Sequence, residues 1–452
     1  MASSIYSNRP ALQNGQTVRA SDGVNYTILS FLGRGGQGDV YKVSGQDGEY
    51  ALKWFHAASF LKRINAEAFY KNIVRNVENG TPHLSSGDTA TQFIWPQKLV
   101  DWQLGSFGYL MPLFQPGYSP LSDVILGRRR EADGTEVPLV WKSWFIRVTA
   151  ALNLVRAFEI LHASGLSYQD LNEGGFAINM ENGDVMICDC DNVSPDQTNL
   201  GILGVLNYMA PEVARREKLP DHYTDQYSLA IILFRLFFNN HPMEGVESIS
   251  LHSDAQLSRR DADLSIYGTN PHYCLDSRNR LNPPDKRSHA DVRRLCRTYP
   301  TALLQAFDQV FTQGVSAPMA RLTATEWRKA LLQVRDCLIQ VDGREVFCYT
   351  PGKKGVPKEC RTLVYPNGRL VLCMPNKLLY SYHLSEYGAD FKTPVAKIIE
   401  TKKPGVIGLY NGSGQQIEVL YGGGARVCGH RERIPLLPGM VLKPKGTVIT
   451  VE

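Results

Sequence analysis

The sequence predicts an α+β protein with an additional all-β C-terminal domain, and three observations carry that expectation. The first third reads as strands with one helical stretch among them. From Trp141 the apolar spacing changes from two to near 3.6, and beyond Asp336 it returns to short alternating runs broken by Gly, Pro and Asn. At 452 residues the chain is too long for one ordinary core. Three regions are expected: 1–115, 116–337 and 338–452.

The elements follow in order. Gly23–Leu29 and Phe31-Leu32 run as a strand into a glycine cluster. Val40–Val43 and Tyr50–Trp54 follow it, separated by the turn-forming Ser44–Gly48. A helical pattern spans roughly Ser59–Val77, with Phe60, Ile64 and Val74 near one face, and Gly80 and Pro82 end it. Two strands are expected around Phe93–Trp102 and Phe107–Leu113. Trp144, Val148, Leu152, Val155 and Leu161 then mark an amphipathic helix ending at Gly165. Phe176–Met180 and Val185–Cys188 form a strand pair joined by Glu181-Asn182-Gly183-Asp184. Tyr227–Phe238 is apolar nearly all round, as in a helix buried in a large lobe. Residues 242–300 read as polar loop, and helices resume at Ala302–Phe311 and Ala324–Val334. Thr362–Tyr365, Leu370–Leu372, Val406–Leu409 and Thr447–Val451 are strands of the C-terminal region.

Composition excludes several classes. With 43% hydrophobic and 21% charged residues the chain is globular in character. No apolar run reaches the roughly 20 residues of a membrane span, and the N-terminal stretch lacks the apolar centre of a secretory signal. A cytoplasmic protein without a membrane partner is expected. The net charge of +5 is small for this length and gives no nucleic-acid footprint. Nine cysteines do not space as a disulfide framework. Cys188 and Cys190 read as buried thiols. A zinc site among Cys337, Cys348, Cys360 and Cys373 is the lesser reading, since they contain no C-x-x-C pair.

Gly33-Arg34-Gly35-Gly36-Gln37-Gly38-Asp39-Val40 fits G-x-G-x-x-G-x-V, a pattern in which glycine lets the backbone close on a polyphosphate. A dinucleotide-binding turn shares the glycines but opens a helix. Here a strand follows Gly38. Lys53, on the next strand, would hold phosphates and needs a carboxylate to fix it; Glu67 is the better candidate and Glu78 the alternative. Farther on, Asp170 and Asp189 end two adjacent short elements. That placement suits one carboxylate that orients a hydroxyl proton and one that holds a divalent ion.

With these go Gly204–Glu212, close to G-T-x-x-Y-x-A-P-E, Thr224–Leu229, close to S-D-x-W-S-L, and Ala320–Ala324, close to R-P-T-A. Over residues 24–335 the chain resembles the Hanks-type (eukaryotic-like) protein Ser/Thr kinases. The resemblance implies a bilobal protein-kinase fold, ATP and Mg²⁺ (with Mn²⁺ as an alternative), and a protein substrate. It makes Asp170 the catalytic base and Asp189 the metal ligand. Asp225 would brace the catalytic loop, and Glu212 would pair with Arg321. Gly33, Gly35, Gly36, Gly38, Val40, Lys53 and Glu67 would line the nucleotide, with Met111 as gatekeeper and the backbone of Pro112 and Phe114 at the adenine edge. Gly35–Tyr41, Phe107–Met111 and Ile187–Val193 further resemble a bacterial branch of tellurite-resistance and stress loci. That branch implies a metal-dependent phosphatase and a von Willebrand A protein as partners.

The family pattern is broken at several places. The second metal-ligand Asn is Gly175, the lysine two residues after the base is Asn172, the usual Thr is Val205, and the D-F-G glycine is Asp191. Either Asn172 or Asp191 supplies the missing oxygen in a working enzyme, or the protein is a pseudokinase that binds nucleotide as a scaffold. A small-molecule kinase of the same fold is a third reading, opposed by the A-P-E segment. Gln169 stands where an arginine commonly precedes the base, so phosphate at Ser194 or Thr198 is expected not to switch activity. In the C-terminal region, Gly408–Ser413 and Arg433–Leu442 resemble strands of forkhead-associated sandwiches. Gly368-Arg369 could match that family's Gly-Arg pair, although no Ser-x-x-His follows. Docking, regulation or plain packing all remain open for this region.

Overall fold

A computed structural model describes residues 11–56, 65–84, 92–131, 133–198, 200–348, 360–385 and 390–452. The chain divides into two compact units. One holds the residues up to Lys142 with Thr149–Arg294 and Phe307–Arg328, and the other holds Ser143–Val148, Leu295–Ala306 and Lys329–Glu452.

The first unit begins with an antiparallel sheet of six strands: β1 (Thr17–Arg19), β2 (Asn25–Arg34), β3 (Gly38–Gly45), β4 (Gly48–Phe55), β5 (Lys98–Gln103) and β6 (Ser106–Met111), in the order β1-β2-β3-β4-β6-β5. The expected helix appears as α1 (Ala66–Asn79), between β4 and β5. Phe60 and Ile64, assigned to it from the sequence, lie outside the described residues. Alternation sends the two faces of the sheet into different cores. Tyr26, Ile28, Tyr41, Val43, Leu52 and Trp54 pack on one face. Ala51, Phe55, Phe107, Tyr109 and Met111 pack on the other, with Phe69 and Ile73 of α1.

The helical part of this unit carries short strands at its upper edge: β7 (Ser119–Pro120) and, after α2 (Leu121–Leu126), the hairpin β8 (Arg128–Arg130) and β9 (Glu136–Pro138). The long helix α3 (Trp144–Ala163) is followed by β10 (Leu166–Ser167), β11 (Phe176–Ile178), β12 (Val185–Ile187) and β13 (Ser194–Pro195). These strands hold the loops that carry the acidic residues. Helices α4 (Pro211–Ala214) and α5 (His222–Phe238) come next, and α5 is buried along nearly its whole length, as its all-round apolarity required. Asp221 caps its first turn through the Thr224 N–H, and Asn239 ends it in the left-handed conformation.

The stretch read as loop, 242–300, is corrected: it contains α6 (Val246–Ser253), α7 (Arg259–Leu264) and α8 (Ala290–Leu295). Each spans at most eight residues, too short to repeat an apolar face. Local capping defines them instead, as where Ser258 Oγ accepts from Asp261 N–H at 3.1 Å. Three more helices follow, α9 (Thr301–Phe311), α10 (Gln313–Ser316) and α11 (Ala324–Asp336), and a one-turn helix, Ser381–Leu384, comes later in the second unit.

The second unit adds the hairpin β14 (Leu338–Val341) and β15 (Arg344–Phe347) to two larger sheets. One contains β16 (Arg361–Val364), β17 (Leu370–Cys373), β21 (Ile417–Tyr421), β22 (Gly424–Cys428), β24 (Val441–Lys443) and β25 (Ile449–Val451). The other contains β18 (Leu378–Tyr380), β19 (Pro394–Glu400), β20 (Ile407–Asn411) and β23 (Arg433–Pro435). Val371, Val419, Leu442 and Val451 of the first sheet share one core with Leu379, Ile398, Leu409 and Ile434 of the second. Among the described residues no three His, Cys, Asp or Glu side chains gather as metal ligands. Burial pushes the Cys337 and Cys373 thiols up to about 12, as neutral groups.

Asp336 is the buried polar centre of this unit. Its carboxylate accepts from Arg369 Nε at 2.9 Å, Tyr382 Oη at 3.1 Å and His383 Nε2 at 2.8 Å. Arg369 is therefore committed to an internal ion pair and is not presented to a phosphate, which removes it as the phosphothreonine reader of a forkhead-associated site. His383 Nδ1 accepts the Tyr380 N–H at 2.8 Å, so the ring is neutral; burial pushes its pKa down to about 4 against the pull of Asp336. The unfolded chain takes up this proton near pH 6.5 and the folded one only near 4, so this group's stability contribution is lost as pH falls through that window. Denaturant unfolding between pH 6.5 and 5 is expected to show a loss from this group whose slope steepens toward a limit of about 1.4 kcal/mol per pH unit near pH 5, and His383→Gln a shallower slope.

Candidate active site

The glycine segment forms the turn between β2 and β3. A Cβ at Gly33 or Gly36 would meet nothing within 4 Å, which leaves the outer side of the hairpin open to an approaching ligand. Gly38 has a different reason: a Cβ there would lie 2.3 Å from the Trp54 carbonyl oxygen, so glycine is needed for β3 to close on β4. Sequence reasoning missed the clamp at the hairpin's base. Arg34 and Asp39, cross-strand partners, join through Nε–Oδ1 at 2.7 Å and Nη2–Oδ2 at 3.0 Å. Asp39 is fully buried; His56 and Tyr41 also contact it, and these partners outweigh burial to hold its carboxyl well below the usual range.

Lys53 lies on β4 in the strand register facing Tyr109. Its ammonium donates to Asp189 Oδ1 at 2.9 Å and to Asp191 Oδ1 and Oδ2 at 2.9 and 3.0 Å. Burial alone would depress the lysine, but Asp191 and Asp189 hold it above its ordinary value. The expected partner Glu67 is corrected: it sits in the first turn of α1 with its side chain 81% exposed, paired to Lys71 at 2.6 Å. Glu78 is exposed as well. The inner face of α1 presents Phe69, Asn72, Ile73 and Asn76 instead.

Asp189 and Asp191 differ in what they can do. The Asp189 side chain is 49% exposed, so one oxygen can meet Lys53 while the other is open to a metal ion. The Asp191 carboxylate is wholly buried, and Tyr109 Oη also donates to its Oδ1 at 2.9 Å. Asp191 is thereby corrected from metal ligand to partner of the lysine, because no solvent-facing oxygen is left on it.

Asp170 lies in the loop after β10. Asn172 Nδ2 donates to its Oδ1 at 3.2 Å and to its carbonyl at 3.0 Å, while Asn172 Oδ1 accepts the Gly174 N–H at 3.0 Å. The Asn172 amide thus orients the Asp170 carboxylate and turns its own oxygen to the loop N–H. Burial raises the Asp170 pKa to about 6; the negative charges of Asp189 and Asp191 add to this, and Asn172 opposes it. A carboxylate lifted in this way is a better proton acceptor.

Gly175, in the place of the absent asparagine, also has a packing reason. A Cβ there would come within 2.9 Å of Tyr168 Oη, and that hydroxyl is fixed by donating to the Cys188 carbonyl. Gly175→Ala should cost about 1–3 kcal/mol by overpacking, and less in a Tyr168→Phe background, as read by thermal melting of the four proteins. Burial pushes Cys188 up to about 12 and Cys190 well above its ordinary value, so both stay neutral thiols.

The remaining site candidates come from the sheet. Val40, Ala51 and Met111 share one apolar cluster with Ala177, Met186 and Cys188 from β11, β12 and the loop after it. Beyond Met111, Pro112 is half-buried and Phe114 is 57% exposed. Met186 is a member of this cluster that no motif signalled.

The loop is braced from below. Asp225 accepts the N–H groups of Tyr168 at 2.6 Å and Gln169 at 2.9 Å, and the Glu212 carboxylate meets Arg321 at 2.7 and 2.8 Å. Arg235 of α5 ties to Glu173 at 2.8 Å, which had no sequence signal. Gln169 has φ +72°, a strained value for a side-chain-bearing residue. Its amide donates to Ser194 Oγ at 2.7 Å and to the Thr198 carbonyl. A neutral amide therefore holds the segment that an arginine–phosphate pair would hold. Ser194 is itself buried. Ser194→Ala and Thr198→Ala are expected to keep folding and phosphate transfer within about three-fold of wild type. A collapse of transfer in both folded variants would contradict this.

A sheet lobe and a helical lobe that bring a glycine hairpin, a lysine and two aspartates to one cleft define a phosphotransferase-like site. Residues 144–284 match the protein kinase domain family, a stretch that includes Asp170, Asp189, Glu212 and Asp225. That stretch of the chain is thus similar to a protein kinase domain. Among curated proteins it is 25% identical over 159 residues to "Probable serine/threonine-protein kinase nek3" of Dictyostelium discoideum, covering 34% of this chain and 14% of that protein. It is 26% identical over 210 residues to "Serine/threonine-protein kinase MPS1" of Saccharomyces cerevisiae, covering 45% of this chain and 24% of that protein. The chain therefore spans only a fraction of the length of these relatives. The crystal structure of the Mycobacterium tuberculosis PknI kinase domain matches at 16% identity with a TM-score of 0.43, covering 71% of this chain and 99% of that one.

Proposed function

We propose that the protein is an ATP-dependent protein serine/threonine kinase of the bacterial eukaryotic-like type, without the arginine that commonly precedes the base. The observation that carries the reading is the meeting of Lys53 and Asp189, 136 positions apart in sequence, at 2.9 Å beside the glycine hairpin. Both curated relatives bear serine/threonine kinase names, which supports the hydroxyl specificity.

In this reading Lys53 binds the α- and β-phosphates, and the backbone of the Gly33–Gly38 hairpin, whose Gly35 N–H is tied to the Gly38 carbonyl at 2.8 Å, closes over the phosphate oxygens. The donor set fits a hard divalent ion: the exposed oxygen of Asp189 would hold Mg²⁺ or Mn²⁺, and Asn172 Oδ1, which accepts the Gly174 N–H at 3.0 Å, would turn from that bond to serve as the second oxygen. Such an ion supplies charge neutralisation between the phosphates. Asp170 accepts the proton of the substrate hydroxyl, and Asn172 N–H keeps its carboxylate oriented. The substrate is a protein, and the partners implied by the bacterial resemblance are a metal-dependent phosphatase and a von Willebrand A protein. Action in the cytoplasm accords with the absence, among the described residues, of a helix long and apolar enough to cross a membrane.

The test is transfer of labelled γ-phosphate from ATP with Mg²⁺ or Mn²⁺, followed by phosphoamino-acid identification. Label on Ser or Thr that disappears with chelator and in Asp189→Ala is the expected result. Nucleotide binding without transfer in the wild type would establish the scaffold reading instead.

A further inference from the structure

Two departures from the kinase pattern meet at one atom. The helix next to Lys53 offers it no carboxylate, and the position after Cys190 carries an aspartate in place of glycine. In the fold, this aspartate is the group the helix lacks. Asp191 gives both oxygens to Lys53 Nζ, at 2.9 and 3.0 Å, and the pair is almost wholly shielded from solvent.

Isolated burial of either charge would be strongly unfavourable, so each requires the other. The second partner of the carboxylate, Tyr109 Oη, stands on β6 in register with Lys53 and fixes Asp191 from the sheet side. From the helix side, Asn72 Nδ2 donates to the Asp191 carbonyl at 3.3 Å and to the Val193 carbonyl at 2.8 Å. Asn76 Nδ2 donates to the Val193 carbonyl at 2.8 Å. Helix α1 thus grips the backbone of the loop after Asp189 with two neutral amides and sends no charge to the lysine.

Resting on the kinase reading, we propose that Asp191 is the positioning residue of Lys53: the carboxylate that aligns the phosphate-binding lysine has moved from α1 to the metal-aspartate loop. One consequence is a division of labour in which Asp191 fixes the lysine and Asp189 is left with an oxygen for the metal. A second is that the lysine and the metal aspartate are set by one short segment. In kinases whose lysine is held by a helix glutamate, moving the helix releases the lysine. Here α1 carries only the strut.

The test is a double-mutant cycle on the full chain with Asp191→Asn and Lys53→Met. It reads both kcat/KM for ATP and the affinity for a non-hydrolysable ATP analogue with Mg²⁺. Asp191→Asn alone is expected to lower both by about ten-fold or more, and to add less than about two-fold when Lys53 is already Met, because it acts through that ammonium. Equal effects in both backgrounds, or Asp191→Asn within two-fold of wild type, would overturn the proposal. Glu67→Gln should leave both readouts unchanged. If Asp191→Asn melts below the assay temperature, Tyr109→Phe loosens the same carboxylate, and its smaller loss should likewise vanish with Lys53→Met. A wild type that binds the analogue but transfers nothing would sink the kinase reading, while the affinity arm would still report on Asp191.

Discussion

Asp170→Asn is expected to reduce kcat by about 10²–10⁴-fold, the usual worth of a positioned general base. Nucleotide affinity should change little, since the polar contacts of Asp170 are with its own loop: Asn172 Nδ2 reaches its Oδ1 and its carbonyl. The substitution is isosteric, and burial already lifts the Asp170 pKa to about 6, so removing the charge should not unfold the loop. Single-turnover kinetics at saturating ATP isolate the effect. Retention of more than a tenth of the wild-type rate would mean that Asp170 is not the base.

The largest stability effect is expected at Arg321. Its side chain is fully buried, with Nη1 and Nη2 on the two Glu212 oxygens at 2.7 and 2.8 Å, Nε on the Gly314 carbonyl at 2.7 Å and a further bond to the Tyr223 carbonyl. The guanidinium also lies 5.0 Å from the Tyr227 ring centroid. Arg321→Ala leaves the Glu212 carboxylate without a counter-charge in a protein interior, a loss of about 3–5 kcal/mol. Glu212→Gln, which keeps a hydrogen-bonding partner, should cost less. Chemical denaturation monitored by tryptophan fluorescence separates the two, Trp327 lying in the same buried helical region.

Much of this site was legible because its residues recur at fixed spacings in short segments. The glycine hairpin, Lys53, Asp170 and Asp225 are each marked by close neighbours; the structure puts Lys53 on Asp189 and Asp225 beneath the loop that carries Asp170. The carboxylate for Lys53 was not legible. A helix glutamate satisfied the chemical need on paper, but helical phase turns Glu67 to solvent and Asn72 inward. The true contact spans 138 positions. Gly175 was visible as a gap in the pattern, but its cause, the Tyr168 hydroxyl, required the third dimension. The helices between 246 and 295 escaped because short caps, not apolar periodicity, define them. In the second unit the strands could be read from their alternation. The burial of Arg369 against Asp336 could not, since nothing in a Gly-Arg pair says which way its side chain turns.

The central claim is that these residues form one nucleotide site. A crystal structure with a non-hydrolysable ATP analogue and Mg²⁺ tests it most directly. The account predicts phosphates under the Gly33–Gly38 hairpin, Lys53 in hydrogen-bond contact with them and the ion on Asp189. A nucleotide bound elsewhere, or none bound at millimolar concentration, would contradict it.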